Sequence, residues 1–243
     1  IQKISKSKKI NENVIISGSH LDNKYGFTIE EIYKDKSKPK KIYELKIKKR
    51  DNNVPEFTPL SISEITQKVS NLLKIIKPDV FVVYADRYET FAAVIASTQM
   101  GIPTIHLEGG DITEGGTFDD NVRHAITKLS HFHFTTNEMA KNRIIRMGEE
   151  KWRVFNIGLS SLELFKKNFF KSKNYLAKKF KINFSKAVIL LIQHSVTWQV
   201  NDSSWQISQT LKALDKLKLQ TIAIYPCSDP GYQAIIQKYN DFK

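Results

Sequence analysis

Cysteine is nearly absent from the 243-residue sequence, which contains only Cys227. A single thiol excludes an internal disulfide framework and a zinc site built on several cysteines, and it is typical of a reducing compartment. Long apolar runs are also lacking, because the longest, KAVILLI at 186–192, falls short of the roughly 18 residues that a membrane-spanning helix needs. We therefore expect a cytoplasmic protein with no membrane partner.

Acidic residues are too few to balance the basic ones: 25 Asp and Glu face 38 Lys and Arg, for a formal net charge of +13. The basic residues are dense at 34–50 and 166–181, yet neither segment carries a helix-turn-helix, zinc-finger or base-stacking pattern. We predict a solvated basic surface that attracts anionic small molecules, and no nucleic-acid partner. A nucleic-acid or anionic-surface binder is the alternative from another functional class, and steeply salt-dependent binding would identify it.

Short apolar runs of strand type alternate with longer segments of helical period along the chain, which is the pattern of an α/β protein. We predict two Rossmann-like, doubly wound parallel-sheet domains. The first covers 1–160 and is followed by a helical linker at 161–185, and the start of a nucleotide-binding domain covers 186–243. About 60 residues with two strands cannot close such a sheet alone, so we expect this second domain to be truncated.

The predicted strands cover 13–18, 79–86, 103–108, 132–136, 153–158, 187–194 and 220–226. Helical segments are predicted at 61–76, 88–101, 118–130, 137–148, 203–217 and 230–239. The strand at 79–86 is a continuous apolar run, typical of a strand that is buried on both faces of a parallel sheet.

Functional side chains follow three of the predicted strands, where the carboxyl ends of a parallel sheet form its ligand-binding edge. These are Asp86 with Arg87, His106 with Glu108, and His194. His106 and Glu108 are two residues apart, so we expect them to project from the same face. Further acidic residues follow in the sequence HLEGGDITEGGTFDD. Neighbouring carboxylates raise one another's pKa, as a general acid at neutral pH requires.

Each of these features also has a structural explanation. Residues 117–120 (TFDD) fit a helix capping box, and acidic residues in a first turn offset the helix dipole. Arg123 follows Asp119 by four residues and His124 follows Asp120 by four, spacings that suit ion pairs within a helix. The pair of histidines in HFH, at 131 and 133, fits core or sheet-surface positions. The HxE pattern is weak evidence for a metal, and we predict none.

Five segments together resemble a known family: ISGSHLDNKYGFTIEEI, YADRYET, HLEGGDITEGGTFDDNVRHAITKLSHFHF, MGEEKWRVFNIG and LIQHSVT. They are similar to the hydrolysing UDP-N-acetylglucosamine 2-epimerases of the sialic-acid-pathway branch. The resemblance implies two Rossmann domains of the glycosyltransferase B type, with the active site between them. It implies loss of the C2 proton, anti elimination of UDP to a glycal, and hydration that releases N-acetylmannosamine.

The resemblance also implies roles for individual residues. Asp86, Glu108 and Asp119 are the candidate acid/base groups, and His194 would face the diphosphate or the sugar. The candidates for substrate contacts or for orienting the carboxylates are His20, Arg87, His106, Asp120 and Arg123. No metal, nicotinamide or other cofactor is implied, the partner is a UDP-sugar, and a homodimer is expected.

The sequence departs from the family pattern at two positions and at both ends. Ala85 stands where the family usually has glycine, and Ser195 where it usually has proline. The family's first strand and its uridine-gripping C-terminal segment are missing, and the sequence begins without methionine. We therefore expect a fragment that turns over poorly by itself, within an active parent. The alternatives are a UDP-N,N'-diacetylbacillosamine 2-epimerase for legionaminic acid synthesis and a glycosyltransferase of the same fold.

Overall fold

The computed structural model describes residues 2–35, 38–48, 50, 54, 56–113, 118–166 and 170–242. The chain divides into two compact units, Ile1–Leu159 and Ser160–Lys243. Among the described residues, no helix has both the length and the apolar character that crossing a bilayer requires.

The strands of the first unit are all parallel to their neighbours. Strands β1 and β2 form a two-stranded sheet, and β3, β4, β5 and β6 form a four-stranded sheet in chain order. Their bounds are β1 Asn13–Ser17, β2 Lys41–Leu45, β3 Phe81–Tyr84, β4 Thr104–Leu107, β5 Phe132–Thr135 and β6 Val154–Asn156.

The described helices of the first unit are α1 Gln2–Ser5, α2 Ile29–Lys34, α3 Phe57–Ile76, α4 Tyr88–Gln99, α5 Phe118–Leu129 and α6 Glu138–Arg146. Because β3 to β6 follow one another in chain order, right-handed crossovers place α4, α5 and α6 on one face of the sheet. Val83, His106 and His133 are aligned in the strand register and buried on that face. The buried face therefore includes two histidines.

Helix α3 shows why its sequence is amphipathic. Its residues Ile65, Val69 and Leu73 are buried, at the spacing of one helical face, and they pack with Leu45 of β2 and Ala92 of α4. The helix thus joins the two-stranded sheet and the four-stranded sheet in one core. It begins at Phe57, four residues before the predicted start.

The prediction that residues 79–86 form a strand buried on both faces was wrong. Among the described strands, β3 pairs with β4 alone, and Val83 is the one residue of β3 that is buried. The side chains that project from the opposite face are half exposed, at 50% for Val82 and 56% for Tyr84. An apolar run therefore marked the strand correctly but did not reveal that only one of its faces is covered.

Strand β2 was not predicted, because its sequence KIYEL lies inside the lysine-rich segment that we assigned to solvated surface. Its lysine, Lys41, is indeed exposed, whereas Leu45 is buried against α3. One buried position is enough to fix this strand beside β1, and the surrounding charge conceals it in the sequence.

The second unit contains two strands and four helices in its described part. They are α7 Leu162–Lys166, α8 Lys173–Phe180, β7 Val188–Ile192, α9 Ser203–Leu217, β8 Gln220–Ile224 and α10 Tyr232–Asp241. Strands β7 and β8 pair in parallel, and helices α9 and α10 contact each other. The small core consists of Leu191, Ile207, Leu211 and Ile235.

Candidate active site

The carboxyl ends of β3 and β4 carry two residues with left-handed backbone, Ala85 at φ 59° and Glu108 at φ 63°. Each still donates a backbone hydrogen bond to the next strand, Ala85 to Leu107 O at 3.0 Å and Glu108 to Phe134 O at 2.8 Å. Residues with a Cβ rarely adopt positive φ, and such strained positions concentrate at functional sites. The two strand ends are thus held in a costly conformation by the sheet itself.

Arg123 of α5 links the groups at this edge. Arg123 is only 9% exposed, and its guanidinium pairs with the Asp86 carboxylate, with Asp120 Oδ1 at 2.6 Å and with the Asp111 carbonyl at 2.9 Å. Although burial opposes a charge on Arg123, its two carboxylate partners hold its pKa above the ordinary value. The guanidinium is therefore a fixed cation that positions Asp86 in the turn at residues 85–87, called the Asp86 turn below.

Asp120 is held from two sides. Its carboxylate accepts from the Thr113 backbone N–H at 3.0 Å and from Arg123. Burial alone would raise its pKa, but these hydrogen bonds and the Arg123 charge outweigh burial and lower the pKa. Asp120 is thus an anion that ties the loop after β4 to α5.

The ion pairs predicted within α5 differ from those in the structure. Arg123 pairs with Asp120, three residues before it, in place of the predicted Asp119. The Nδ1 of His124 is buried and has no hydrogen-bond partner among the described residues. Asp119 lies in the exposed first turn, where the helix dipole favours an anion. Thr117, the predicted capping residue, lies outside the described residues.

The expectation that His106 and Glu108 project from one face was wrong, because the left-handed backbone at Glu108 ends the alternation of the strand. His106 is buried on the helix-covered face, whereas the Glu108 carboxylate interacts with the Tyr84 hydroxyl. Tyr84 projects from the opposite face. Its pKa is raised to about 12 by desolvation and then by Glu108 and Asp86, so its hydroxyl stays protonated and donates toward Glu108.

Two glycines of the HLEGG segment are explained by close packing. A Cβ on Gly109 would lie 2.7 Å from His106 Nδ1 and 3.0 Å from Thr127 Oγ1. A Cβ on Gly110, which has φ 87°, would lie 2.5 Å from the Ala140 carbonyl oxygen. Arg143 also donates to the Gly110 carbonyl. The start of the glycine-rich loop is therefore pressed against β4, α5 and α6.

Asp111 anchors the same loop and was not singled out from the sequence. Its carboxylate accepts from Thr136 Oγ1 at 3.3 Å and from Asn137 Nδ2 at 3.2 Å. Asn137 also caps α6 by accepting from the Ala140 N–H. The acidic residue after the glycines thus fastens the loop to the end of β5.

His20 and Arg87 lie on the segments that follow β1 and β3. His20 is exposed and shares a 2.7 Å hydrogen bond with Thr28 Oγ1. Arg87 is exposed and pairs with Glu89 at 3.1 Å. A Cβ on Gly18 would clash with the Glu89 carboxylate, so the segment that carries His20 packs against the one that carries Arg87.

His194 belongs to the second unit and lies two residues after Ile192, the last residue of β7. Its Nδ1 accepts a hydrogen bond from the Cys227 backbone N–H at 3.1 Å. In the neutral ring the proton therefore sits on Nε2, which is available as a donor. The imidazole itself is exposed.

The HFH histidines have structural surroundings, as predicted. His131 Nδ1 accepts from the Thr104 N–H at 3.1 Å. His133 is fully buried beside Glu149, which also pairs with Lys128 and Arg153. Burial lowers the pKa of His133 to about 4 despite the nearby carboxylate. These four residues, Lys128, His133, Glu149 and Arg153, are called the Glu149 network.

No group of three or more His, Cys, Asp or Glu side chains within the described ranges is arranged to hold a metal ion. What the edge does present is carboxylates beside hydrogen-bond donors: Asp86 pairs with Arg123, and Glu108 interacts with the Tyr84 hydroxyl. Carboxylates and a phenol in this arrangement can move protons to and from a bound substrate.

The family model described as UDP-N-acetylglucosamine 2-epimerase matches residues 2–243. The chain belongs to this epimerase family. Among curated relatives, the GDP/UDP-N,N'-diacetylbacillosamine 2-epimerase (hydrolyzing) of Campylobacter jejuni is 34% identical over 215 residues, which is 88% of this chain. The UDP-N,N'-diacetylbacillosamine 2-epimerase (hydrolyzing) of Legionella pneumophila is 31% identical over 244 residues, 99% of this chain. The chain spans 55% and 63% of these two relatives.

Solved structures of epimerases show the same fold. The UDP-GlcNAc 2-epimerase from Neisseria meningitidis bound to UDP-GlcNAc matches 99% of this chain and 65% of its own, with a TM-score of 0.79 and 21% identity. A putative UDP-N-acetylglucosamine 2-epimerase from Listeria monocytogenes matches 97% of this chain and 60% of its own, with a TM-score of 0.71 and 15% identity. The predicted α/β fold of the glycosyltransferase B type is confirmed.

The structure shows the surroundings of Ala85 and Ser195, the two positions at which the sequence departs from the expected family pattern. Ala85 has left-handed φ, a conformation that glycine adopts at lower cost than a residue with a Cβ. Ser195 lies in the second unit, and its side-chain oxygen is buried with no hydrogen-bond partner among the described residues. Its Cβ would lie 3.1 Å from a Cβ on Gly231, so the replacement is accommodated in a tightly packed place.

Proposed function

We propose that this chain carries the carboxylate machinery of a hydrolysing UDP-N-acetylglucosamine 2-epimerase. The observation that carries the proposal is the arrangement at one sheet edge of an epimerase-family chain. Asp86 and Glu108 end adjacent strands and both act on the Tyr84 hydroxyl. The reaction removes the C2 proton, expels UDP with formation of a glycal, and adds water across the double bond. Its products are N-acetylmannosamine and UDP.

The surroundings of the carboxylates suggest how they divide the work. Asp86 is committed to the Arg123 guanidinium, so we assign it to orienting the sugar. Glu108 faces a neutral phenol, and we assign it to proton exchange at C2, with the Tyr84 hydroxyl stabilising the anionic carboxylate. Asp119, exposed at the first turn of α5, is assigned to the proton of the departing UDP or of the incoming water. His194 is assigned to the diphosphate.

The remaining candidates take supporting roles in the proposal. Arg87 and His20 are exposed and lie on segments that pack together, so we assign them to substrate contacts. Asp120 and Arg123 are held in mutual ion pairing, so we assign them to fixing the edge.

We place the activity in sialic-acid-type sugar synthesis. The support is that the Polysialic acid biosynthesis protein P7 of Escherichia coli is 30% identical over 217 residues, or 88% of this chain. We further propose a cytoplasmic homodimer whose partner is the UDP-sugar, with no cofactor and no nucleic-acid or membrane partner. Light scattering on the purified protein tests the dimer, and a monomeric mass contradicts it.

A second substrate is favoured by a specific observation. The two relatives at 34% and 31% identity are named as diacetylbacillosamine 2-epimerases, whereas the UDP-N-acetylglucosamine 2-epimerase of Neisseria meningitidis is 27% identical. The alternative substrate, UDP-N,N'-diacetylbacillosamine, keeps the same chemistry at C1 and C2. It differs only in the groups at C4 and C6 of the sugar.

The test is UDP release from each of the two nucleotide sugars, measured by chromatography. Because the relatives are longer, it uses the 243-residue chain and, in parallel, any longer polypeptide that contains these residues. We expect the longer polypeptide to release UDP from one of the sugars and the 243-residue chain to release it slowly or not at all. In the longer polypeptide, Glu108→Gln should lower the release at least about 100-fold. Glu31→Gln, an exposed glutamate of α2, is the matched control and should keep full activity. No release by the longer polypeptide from either sugar contradicts the proposed function.

A further inference from the structure

His106 has a hydrogen-bond environment that fixes its protonation. Its ring is fully buried, with Nε2 2.9 Å from the Ala85 carbonyl oxygen and Nδ1 3.1 Å from Thr127 Oγ1. A carbonyl oxygen can only accept, so Nε2 must carry a proton. Burial lowers the pKa of His106 to about 4, which leaves the ring neutral and makes Nδ1 an acceptor.

Thr127 must therefore donate its hydroxyl proton to His106. The same Oγ1 lies 3.1 Å from the Arg123 carbonyl oxygen, one turn earlier in α5, and a hydroxyl has one proton to give. The Arg123 carbonyl is inside the helix, where backbone N–H groups satisfy it. His106 Nδ1 has no such second donor, and leaving a buried acceptor unpaired is costly. The hydroxyl proton therefore belongs to the Thr127–His106 bond.

The hydrogen bond to Ala85 acts on the backbone that carries Asp86. Ala85 has φ 59°, and its carbonyl belongs to the peptide plane that leads directly into Asp86. Fixing that carbonyl fixes the orientation of the peptide that leads into Asp86. Helix α5 thus holds the Asp86 turn twice, by Arg123 at the carboxylate and by Thr127 through His106 at the peptide.

We propose that His106 is a positioning residue, held by Thr127 as the Nε2–H tautomer, that sets the Asp86 turn and does not contact substrate. This inference rests on the proposed function for its catalytic meaning, but not for its geometry. The packing around the ring supports it, because a Cβ on Gly109 would already lie 2.7 Å from Nδ1. A sugar cannot enter a space that is too small for a methyl group.

The first test is spectroscopic and needs no substrate. Nitrogen-15 NMR of the histidine rings in the wild-type chain should show His106 with a protonated Nε2 and an unprotonated Nδ1. Thr127→Val removes the hydroxyl at nearly constant volume, and it should shift both the His106 ring nitrogens and the Asp86 amide. Thr127→Ser keeps the hydroxyl and should restore both signals. The proposal is overturned if Nδ1 is protonated, or if the NMR signal of the Asp86 amide does not shift in Thr127→Val.

The second test uses two amides that mimic different ring nitrogens. The side-chain nitrogen of Gln can occupy the place of Nε2 and donate to Ala85, whereas that of Asn reaches only the place of Nδ1. We expect His106→Asn to lower kcat about 100-fold with little change in KM, the usual penalty for a misplaced catalytic group. His106→Gln should keep kcat within about 10-fold of the wild type.

Equal losses in the Asn and Gln variants would show that a donor at the place of Nε2 does not matter, and would overturn the proposal. A KM that rises while kcat is kept would show a substrate contact and would also overturn it. If the wild-type protein has no epimerase activity at all, the proposed function fails. The nitrogen-15 spectra still decide the role of His106 in that case, so the two failures are distinguishable.

Discussion

His106 and His133 are cross-strand neighbours in the central sheet, and their surroundings differ. Both rings are fully buried, and burial lowers both pKa values to about 4. His133 faces the Glu149 network, a set of ion pairs that joins β5, α5 and the segment before β6. His106 faces the neutral Ala85 carbonyl at the Asp86 turn.

The role that we expect for each buried histidine depends on the group that its ring contacts. The partner of His133 is a carboxylate that stabilises the packing of the unit. The partner of His106 is a peptide at the edge where the carboxylates gather. We therefore expect perturbation of the Glu149 network to change stability, and perturbation of His106 to change catalysis.

The largest expected effect is on stability as a function of pH, and it involves both histidines. Their pKa is about 4 when folded, against an ordinary value of 6.5, so between these values the unfolded chain binds more protons. The free energy of unfolding is therefore highest above pH 6.5 and falls toward pH 4, by at most about 1.4 kcal/mol per pH unit for each histidine.

Urea unfolding from pH about 7 to about 5 measures this slope. His133→Gln should remove a large part of it, because one of the two rings whose pKa is lowered to about 4 is gone. Burial also lowers the pKa of His124, which still titrates in the variant. A free energy of unfolding that stays constant over the range would contradict the burial of neutral rings.

The next largest change in the free energy of unfolding is expected from a substitution in the Glu149 network. Glu149→Gln removes a carboxylate whose side chain is 2% exposed and which serves three basic groups. Breaking a buried pair should lower the free energy of unfolding by about 3 kcal/mol. Urea unfolding measures the loss, and activity in the absence of urea should change little.

The neighbouring Glu150 provides the matched control, because its side chain is 65% exposed. Glu150→Gln should change the free energy of unfolding by less than about 0.5 kcal/mol. If the two substitutions change the free energy of unfolding equally, the burial of Glu149 contributes nothing to stability, and the role that we assign to the Glu149 network is wrong.

The smallest effect concerns the Asp86 turn. Ala85→Gly relieves the left-handed backbone at φ 59°, and we expect a gain of about 0.5 kcal/mol after the added entropy of the unfolded glycine is subtracted. Ala96→Gly, in the right-handed helix α4, should instead destabilise the protein by at least about 1 kcal/mol. Thermal unfolding that gives both substitutions the same sign would contradict the strain at Ala85.

The spacing of apolar residues in the sequence was sufficient to predict many of the helices and strands. Helix α9 was predicted at 203–217 and is found at Ser203–Leu217, because its apolar spacing is regular and it begins after a polar segment. Strand β2 was missed because lysines surround its one buried residue, Leu45. The site was predictable as a set of strand ends, since functional residues there need only the order of strands.

The finer geometry of the site depends on contacts that no local pattern contains. Glu108 leaves its expected face because of a single left-handed residue. Tyr84 and Thr127 gain their importance from residues on other elements, 24 and 21 positions away in the chain. The signal that could have indicated Thr127 is its place four residues after Arg123 on the same helical face.

We propose above that Glu108, at the edge formed by β3 and β4, exchanges the proton at C2 of a UDP-sugar. The most direct measurement is NMR of the products formed in deuterated water, from whichever of the two nucleotide sugars releases UDP. We expect a free amino sugar of inverted configuration that carries deuterium at C2. Glu108→Gln should form neither this sugar nor any other deuterated product. Release of UDP together with a sugar that keeps its original C2 hydrogen would contradict it.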